Sequence, residues 1–208
     1  MTRFLFMRHG ETEWNAAGNR YCGVTDVRLN DRGRAQARDA GMWLADEGAS
    51  LLFSSPLARA VETAEIVGGY LGVPNRTDAR LREVDFGLWE GLTAAEVMSR
   101  NPDNYREWLE GVGRARAGER GETASEVAGR MADWAAETGE RYPESTILVV
   151  SHSTAIRLFI SSTLGMPLHR YRRLVCGNAS LCDCRWRGRD NMEWVSLNVH
   201  VRPRGIRC

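Results

Sequence analysis

The sequence predicts an α/β fold in which short buried strands alternate with helices. Two observations predict it. Apolar runs of strand length at residues 4–7, 51–53 and 146–150 are continuous rather than alternating, as in strands covered on both faces. Stretches with apolar residues at helical spacing follow them. A third observation locates a function on that fold. Two of the runs end at a histidine, in Arg8-His9-Gly10 and in Ser151-His152-Ser153. Open α/β sheets bind ligands at the carboxyl ends of their strands, so Arg8 and His9 are expected at the mouth of a crevice. Gly10 is expected to let the backbone turn and approach a ligand.

A length of 208 residues suits one domain with a small inserted subdomain. Hydrophobic residues are 43% and charged residues 26%, which is globular rather than disordered composition. The net charge of +1 gives no reason to expect nucleic acid or an acidic membrane as partner. There is no lysine, and all 28 basic residues are arginine. That excludes P-loop and Schiff-base lysine chemistry. Arginine suits bidentate recognition of phosphate and carboxylate, although genomic base composition accounts for most such bias. The cysteines Cys22, Cys176, Cys182, Cys184 and Cys208 are odd in number, and Cys182-Asp183-Cys184 lacks a second ligand pair at zinc spacing. No signal peptide and no run long enough to span a bilayer are present, so reduced thiols in the cytoplasm are expected.

The elements follow in order. Residues 13–23 are rich in turn formers and read as a loop. Asn30 is placed to cap a helix with Ala37, Gly41 and Leu44 on its apolar face and Gly48 as its stop. After the strand at 51–53, Ser55 is the expected N-cap and Pro56 the first helical residue. Leu57, Ala60, Val61, Ala64, Val67 and Leu71 continue that helix, with Arg59 in its first turn. A helix amino terminus favours anions, and an arginine beside it adds charge and donors. Gly72-Val73-Pro74 ends this unit.

Residues 80–91 mix carboxylates, aromatics and glycines and read as irregular and partly buried. A carboxyl group beside apolar surface can serve as a general acid. Glu83, Asp85 and Glu90 are all candidates, and the residues alone do not choose. Thr93-Ala94-Ala95-Glu96 is a capping box for a short helix, which Asn101-Pro102-Asp103 breaks and restarts. Residues 111–121 are rich in glycine and arginine and read as a loop, either a lid with Arg114, Arg116 or Arg120 facing substrate or a solvated segment. A second capping box at Thr123-Ala124-Ser125-Glu126 opens a helix whose stripe Val127, Met131 and Trp134 is core. The strand at 146–150 leads through His152 into a helix carrying Ile156, Phe159 and Ile160. Residues 178–199 read as two further strands, and Arg202-Pro203-Arg204 as a mobile tail. His169 and His200 fit no motif and are expected at the surface or in structural roles. Seven tryptophans suit either core burial or apolar surface for a homodimer.

Two arginines, two histidines, a helix amino terminus and one carboxylic acid make a phosphate site, with no spacing that suggests a metal. A histidine held by a hydrogen bond at one ring nitrogen can attack phosphorus with the other. Phosphoryl transfer needs mainly positioning and charge neutralisation.

At these residues the sequence resembles the histidine phosphatase superfamily, the phosphoglycerate mutase-like proteins. The resemblance spans roughly residues 4–197 and rests on four ordered segments. They are Arg8-His9-Gly10-Glu11-Thr12 with Trp14-Asn15, Ser54-Ser55-Pro56-Leu57-Ala58-Arg59-Ala60 with Thr63-Ala64, residues 83–91, and Val149-Val150-Ser151-His152. It implies a three-layer sandwich, a mostly parallel central sheet with helices on both faces and a small helical cap inserted after Glu83, at about residues 86–122. It implies His9 as the phosphorylated nucleophile and Glu83 as the acid. Arg8, Arg59 and His152 would complete the phosphate pocket, with Asn15 and Ser153 on phosphate. Cys22 and Gly23 match a substrate-contacting pair. Asp85-Phe86-Gly87 with Trp89-Glu90-Gly91 looks like the small bacterial phosphatase branch. The implied activity is hydrolysis of a small phosphomonoester, such as a sugar phosphate, with no metal and no cofactor. A mutase-type phosphoryl transfer is the alternative, and the absence of lysine speaks against it. A non-catalytic phosphate-binding regulator would lack His9 or Glu83, and both are present. A phosphopeptide phosphatase would need an open groove, against which the inserted segment argues.

Overall fold

Phe4, Leu5, Phe6 and Met7 are all buried because their strand lies inside a sheet covered on both faces. This computed structural model describes residues 1–110, 114–189 and 191–201. In chain order its elements are β1 (Thr2–Arg8), α1 (Glu13–Ala16), α2 (Asp31–Leu44), β2 (Leu51–Ser54), α3 (Ala58–Leu71), β3 (Asn75–Thr77), α4 (Ala94–Arg100), α5 (Pro102–Glu110), α6 (Ala124–Arg141), β4 (Thr146–Ser151), α7 (Ser153–Thr163), β5 (Ser180–Trp186) and β6 (Met192–His200). The strands form one sheet in the order β3-β2-β4-β1-β5-β6. The first four run parallel, and β5 and β6 add antiparallel at one side. The sheet is mostly parallel, with helices around it.

Side chains alternate across each strand, so each central strand feeds two cores. Phe4, Phe6, Ile147 and Val149 pack with Trp134 of α6 and Phe159 of α7. Leu5, Met7, Leu148 and Val150 pack with Ala37, Ala40 and Leu44 of α2 and Ala60, Ala64 and Val67 of α3. This two-sided burial is what the unbroken apolar runs encode. None of the seven tryptophans is exposed, in keeping with core burial.

The expected cap segment does not carry a core of its own. Trp89 meets Tyr105 and Trp108 edge-on at 5.6 and 6.0 Å, and these rings join the same cluster as Phe4 and Phe6. Residues 114–121, part of the segment read above as a loop that is either lid or solvated, are partly tucked in. Ala117 is fully buried, and Leu88 N–H donates to Gly118 O at 3.1 Å. Gly111, Val112 and Gly113, with Arg202, Pro203, Arg204 and Cys208, lie outside the described residues.

Three local readings are corrected. Residues 13–16 form α1 rather than loop, because Thr12 and Asn15 make a reciprocal capping box. Helix α3 begins at Ala58, not Pro56; Ser55 Oγ instead accepts from Leu57 N–H in the turn before it. Helix α2 stops at Leu44, a turn before Gly48. Strand β3 has a wholly polar sequence, Asn-Arg-Thr, and an edge position needs no apolar pattern. By contrast Asn30 caps α2 as expected, accepting from Gly33 N–H at 2.8 Å. Gly10 is required by close packing. A Cβ there would overlap the Gly33 carbonyl, so the chain after β1 lies directly on the first turn of α2.

Candidate active site

β1 and β4 are adjacent and parallel, with Arg8 opposite Ser151 in register. Their ends therefore deliver His9 and His152 side by side, with ring centroids 5.1 Å apart. Both histidines are buried. His9 Nδ1 lies 2.6 Å from Gly10 O. A carbonyl only accepts, so the proton sits on Nδ1 and Nε2 keeps its lone pair. His152 is the reverse. Its Nδ1 accepts from Arg59 Nε at 3.2 Å, which puts its proton on Nε2, a buried atom without a protein partner. Burial and the charges of Arg59 and Arg8 hold His9 well below its ordinary value of 6.5. Burial, Arg59 and His9 do the same for His152. Both rings are neutral at physiological pH.

A cavity opens at this point. Arg8, His9, Asn15, Cys22, Glu83 and Ser153 line it. Arg8 Nη1 donates to Cys176 O at 2.8 Å, and its buried Nε has no protein partner. Asn15 Oδ1 is consumed by Thr12 N–H and Asn178 Nδ2, both at 3.1 Å, which leaves its own amide donors for a ligand. The thiol of Cys22 is pushed up to about 11, chiefly by burial, so it lines the cavity as a neutral group.

Geometry separates the three candidate carboxylates. Glu83 lines the cavity and sits at the amino terminus of α7. Its Oε1 accepts from Val84 and Ala155 N–H at 3.0 and 2.9 Å, and its Oε2 from Thr154 N–H at 3.0 Å. Glu90 is spent on the loop at 22–25 and on Phe86. It accepts from the N–H groups of Gly23, Val24, Thr25 and Phe86 and from Thr25 Oγ1. Asp85 accepts from Gly87 N–H at 2.9 Å in its own turn.

Three expected residues stand behind the cavity rather than in its wall. His152 does not line it, and its Nε2 is buried without a protein partner. Arg59 is fully buried and donates to Cys22 O, Gly23 O and Thr25 O besides His152. The amide of Gly23 goes to Glu90. The α3 amino terminus is also occupied, since Ala58 N–H donates to Asp26 at 2.6 Å. Of the cap arginines, Arg116 pairs with Glu126 at 2.9 Å and donates to Gly121 O, and neither it nor Arg114 nor Arg120 lines the cavity. His169 and His200 lie elsewhere, in the turn 168–173 and at the end of β6.

The sequence reading missed the rim: Asn19, Arg20, Tyr21, Arg157, Tyr171 and Arg172. Arg157 had a legible signal, since it follows Ser153 by four residues and so shares its helix face. Arg172 lies in the turn 168–173, after α7, and no pattern in the chain places it.

A family model described as the histidine phosphatase superfamily (branch 1) matches residues 4–200. The chain is 31% identical over 199 residues to phosphoserine phosphatase 1 of Hydrogenobacter thermophilus, covering 96% of this chain and 93% of that one. It is 34% identical over 214 residues to a glucosyl-3-phosphoglycerate phosphatase of Mycolicibacterium vanbaalenii, covering 98% and 87%. A crystal structure of phosphoserine phosphatase from Entamoeba histolytica, in complex with 3-phosphoglyceric acid, superposes with a TM-score of 0.86 at 28% identity, covering 96% of this chain and 98% of that one.

Proposed function

The chain belongs to the histidine phosphatase superfamily and is a phosphoric monoester hydrolase for small phosphorylated metabolites, and we propose that it works through a phosphohistidine at His9. One observation carries the reading. The Gly10 carbonyl fixes the His9 proton on Nδ1, so the unprotonated Nε2 belongs to a ring lining a basic cavity that Glu83 also lines. His9 Nε2 attacks phosphorus, and the bond from phosphorus to the ester oxygen breaks. Glu83 gives that oxygen its proton. Water then attacks the phosphohistidine, Glu83 takes a proton from it, and the nitrogen–phosphorus bond breaks to release phosphate. Arg8 and the Nε2–H of His152 neutralise charge on the phosphoryl oxygens. Asn15 and Ser153 complete the cradle. Arg59 holds the His152 tautomer and the carbonyls of the 22–25 loop. These steps use side chains and water alone, so the enzyme is expected to be metal-independent.

Among the described residues no helix is long and apolar enough to cross a membrane. Cys22, Cys176, Cys182 and Cys184 are free thiols, which supports a reducing, cytoplasmic setting.

The test is phosphate release from p-nitrophenyl phosphate, sugar phosphates and phosphoglycerates, with a chelator present, by wild type and His9→Ala. Release by wild type only, with acid-labile label trapped on His9, supports the reading. Equal release by His9→Ala, or release that stops with the chelator, overturns it.

A further inference from the structure

Glu83 lies in a stretch of chain with no regular structure. Residues 82–86 belong to neither helix nor strand, so no strand ladder holds them. Segments of that kind open locally unless something else ties the backbone down. Here side chains do so. The carbonyl of Leu81 accepts from Ser151 Oγ at 2.9 Å. Those of Arg80, Arg82 and Glu83 all accept from one guanidinium, that of Arg130 in α6, at 2.7, 2.7 and 3.0 Å.

Arg130 is itself held. Its Nε and Nη2 donate to Glu122 Oε1 and Oε2 at 2.8 and 2.9 Å, a two-point fork that leaves the arginine side chain 14% exposed and the glutamate 24%. Glu122 reaches the same stretch from its other end. Its Oε2 accepts from Asp85 N–H at 3.0 Å, and its own N–H donates to Asp85 O at 2.9 Å. The pair therefore brackets Glu83, with the carbonyls of 80, 82 and 83 on the arginine and both backbone groups of 85 on the glutamate. Neither residue lines the cavity. A partly buried ion pair loses in desolvation much of what it gains in attraction, so stability alone is a weak reason for it.

We propose that Arg130 and Glu122 are positioning residues for the general-acid step, a clamp that keeps the Glu83 carboxyl where it can protonate the leaving oxygen. The amino terminus of α7 holds the carboxyl oxygens, through Thr154 and Ala155 N–H. The clamp holds the main chain from which the side chain starts. Proton transfer needs donor and acceptor within hydrogen-bond reach, and a displacement of about 1 Å costs rate. The cost depends on the ester. An alcohol that would leave as an alkoxide needs the proton of Glu83, whereas p-nitrophenol leaves as a stable anion and hardly needs it. Displacing Glu83 therefore penalises the first kind of ester and spares the second. The inference rests on the reading of Glu83 as the acid.

The experiment compares kcat/KM for glycerol 3-phosphate and p-nitrophenyl phosphate in wild type, Arg130→Lys, Arg130→Gln, Glu122→Gln and Glu83→Gln. Both esters are assayed on one preparation of each enzyme, so the ratio of the two values does not depend on how much of it is folded. Relative to wild type, Glu83→Gln should lower that ratio about a hundredfold or more. Each clamp variant should lower it about tenfold. Arg130→Lys keeps the charge and loses the fork, so it should fall with Arg130→Gln. Added to Glu83→Gln, Arg130→Lys should change the ratio by less than about twofold, because the two residues act as one unit. Clamp variants that lose both esters alike, or neither, beside a selective Glu83→Gln would overturn the proposal and leave a structural ion pair. A selective loss in Arg130→Gln that is absent in Arg130→Lys would replace the clamp with a charge effect. A Glu83→Gln enzyme that loses both esters alike would remove Glu83 as the acid, and that reading and the clamp would fall together.

Discussion

His9 and His152 lie 5.1 Å apart between ring centroids with their protons fixed on opposite nitrogens. The Gly10 carbonyl sets the first and Arg59 Nε sets the second. Two chemically identical side chains thereby acquire different roles, one with a free lone pair and one with a free N–H. The β1–β4 pairing brings them together, and their hydrogen-bond partners tell them apart.

If that division holds, the two alanine variants differ in kind. His9→Ala should release no phosphate above background. His152→Ala should lose about a hundred- to a thousandfold in kcat, the size of one lost donor to a developing oxyanion. It should still form label on His9 in acid-quenched reactions. Rapid-quench labelling with phosphate-labelled ester distinguishes them. A His152→Ala enzyme that turns over but never labels His9 would reassign the nucleophile.

The depressed pKa values of both histidines make folding stability depend on pH with a definite sign. In the unfolded chain each titrates near 6.5, whereas in the fold each stays neutral well below that. Below pH 6.5 the unfolded chain therefore binds protons that the folded chain refuses. Stability should fall as pH drops from about 6.5, by up to about 1.4 kcal/mol per pH unit for each histidine. Asp78 and Glu126, held below their ordinary 3.8 and 4.5, act only at lower pH. Urea unfolding at pH 7.5, 6.0 and 5.0 measures the slope, and His9→Gln should about halve it. A flat profile over this range would mean that the buried rings are charged or solvated.

The sequence carried the centre of the site better than its edge. His9, Arg8 and His152 were legible because each ends or follows an apolar run whose sheet position is dictated by two-sided burial. The choice among Glu83, Asp85 and Glu90 was not legible from the residues, because all three lie within eight positions in irregular chain. Only the three-dimensional partners separate a carboxylate facing the cavity from one satisfied by the 22–25 loop. Arg59 was found, but its role was not. Its donors turn to carbonyls and to His152, a matter of side-chain direction that spacing does not encode. Arg172 escaped altogether, because the turn 168–173 owes its place to packing of Tyr171 and Trp108.

Glu90 is the next residue to test, because the loop it holds also holds Arg59. Glu90→Gln replaces one acceptor oxygen with an amide donor facing backbone N–H groups. The loss should be about 2 kcal/mol of stability, the scale of a half-buried charge-assisted network left partly unpaired. The carbonyls of Cys22, Gly23 and Thr25 would then shift, releasing Arg59 and the His152 tautomer. A fall in kcat of up to about a hundredfold is expected with little change in KM. Thermal unfolding and steady-state kinetics on one preparation check both halves. A destabilised enzyme with unchanged kcat would show that Arg59 holds His152 without the loop.

The close approach of Gly10 and Gly33 gives a prediction about stability. A Cβ on Gly33 would overlap the carbonyl of Glu11, and one on Gly10 the carbonyl of Gly33. Both obstacles are backbone, so neither can swing aside. Gly33→Ala should cost more than about 2 kcal/mol by overpacking. Alanine at Gly69, where a Cβ meets nothing, is the control and should be neutral or slightly stabilising. Denaturant midpoints of the two variants settle the point.

Arg116 separates the rim arginines from those that only look like substrate contacts in the sequence. Its guanidinium is committed to Glu126 and to Gly121 O, on a half-exposed face away from the cavity. An exposed pair of this kind is worth at most about 1 kcal/mol. Arg116→Ala should therefore leave kcat/KM within about twofold for every ester, whereas Arg157→Gln and Arg172→Gln, at residues that line the cavity, should raise KM. The three variants assayed side by side on 3-phosphoglycerate and glycerol 3-phosphate make the comparison. A raised KM in Arg116→Ala would mean that residues 114–121 swing over the cavity when substrate binds, breaking the Glu126 pair to supply a third guanidinium.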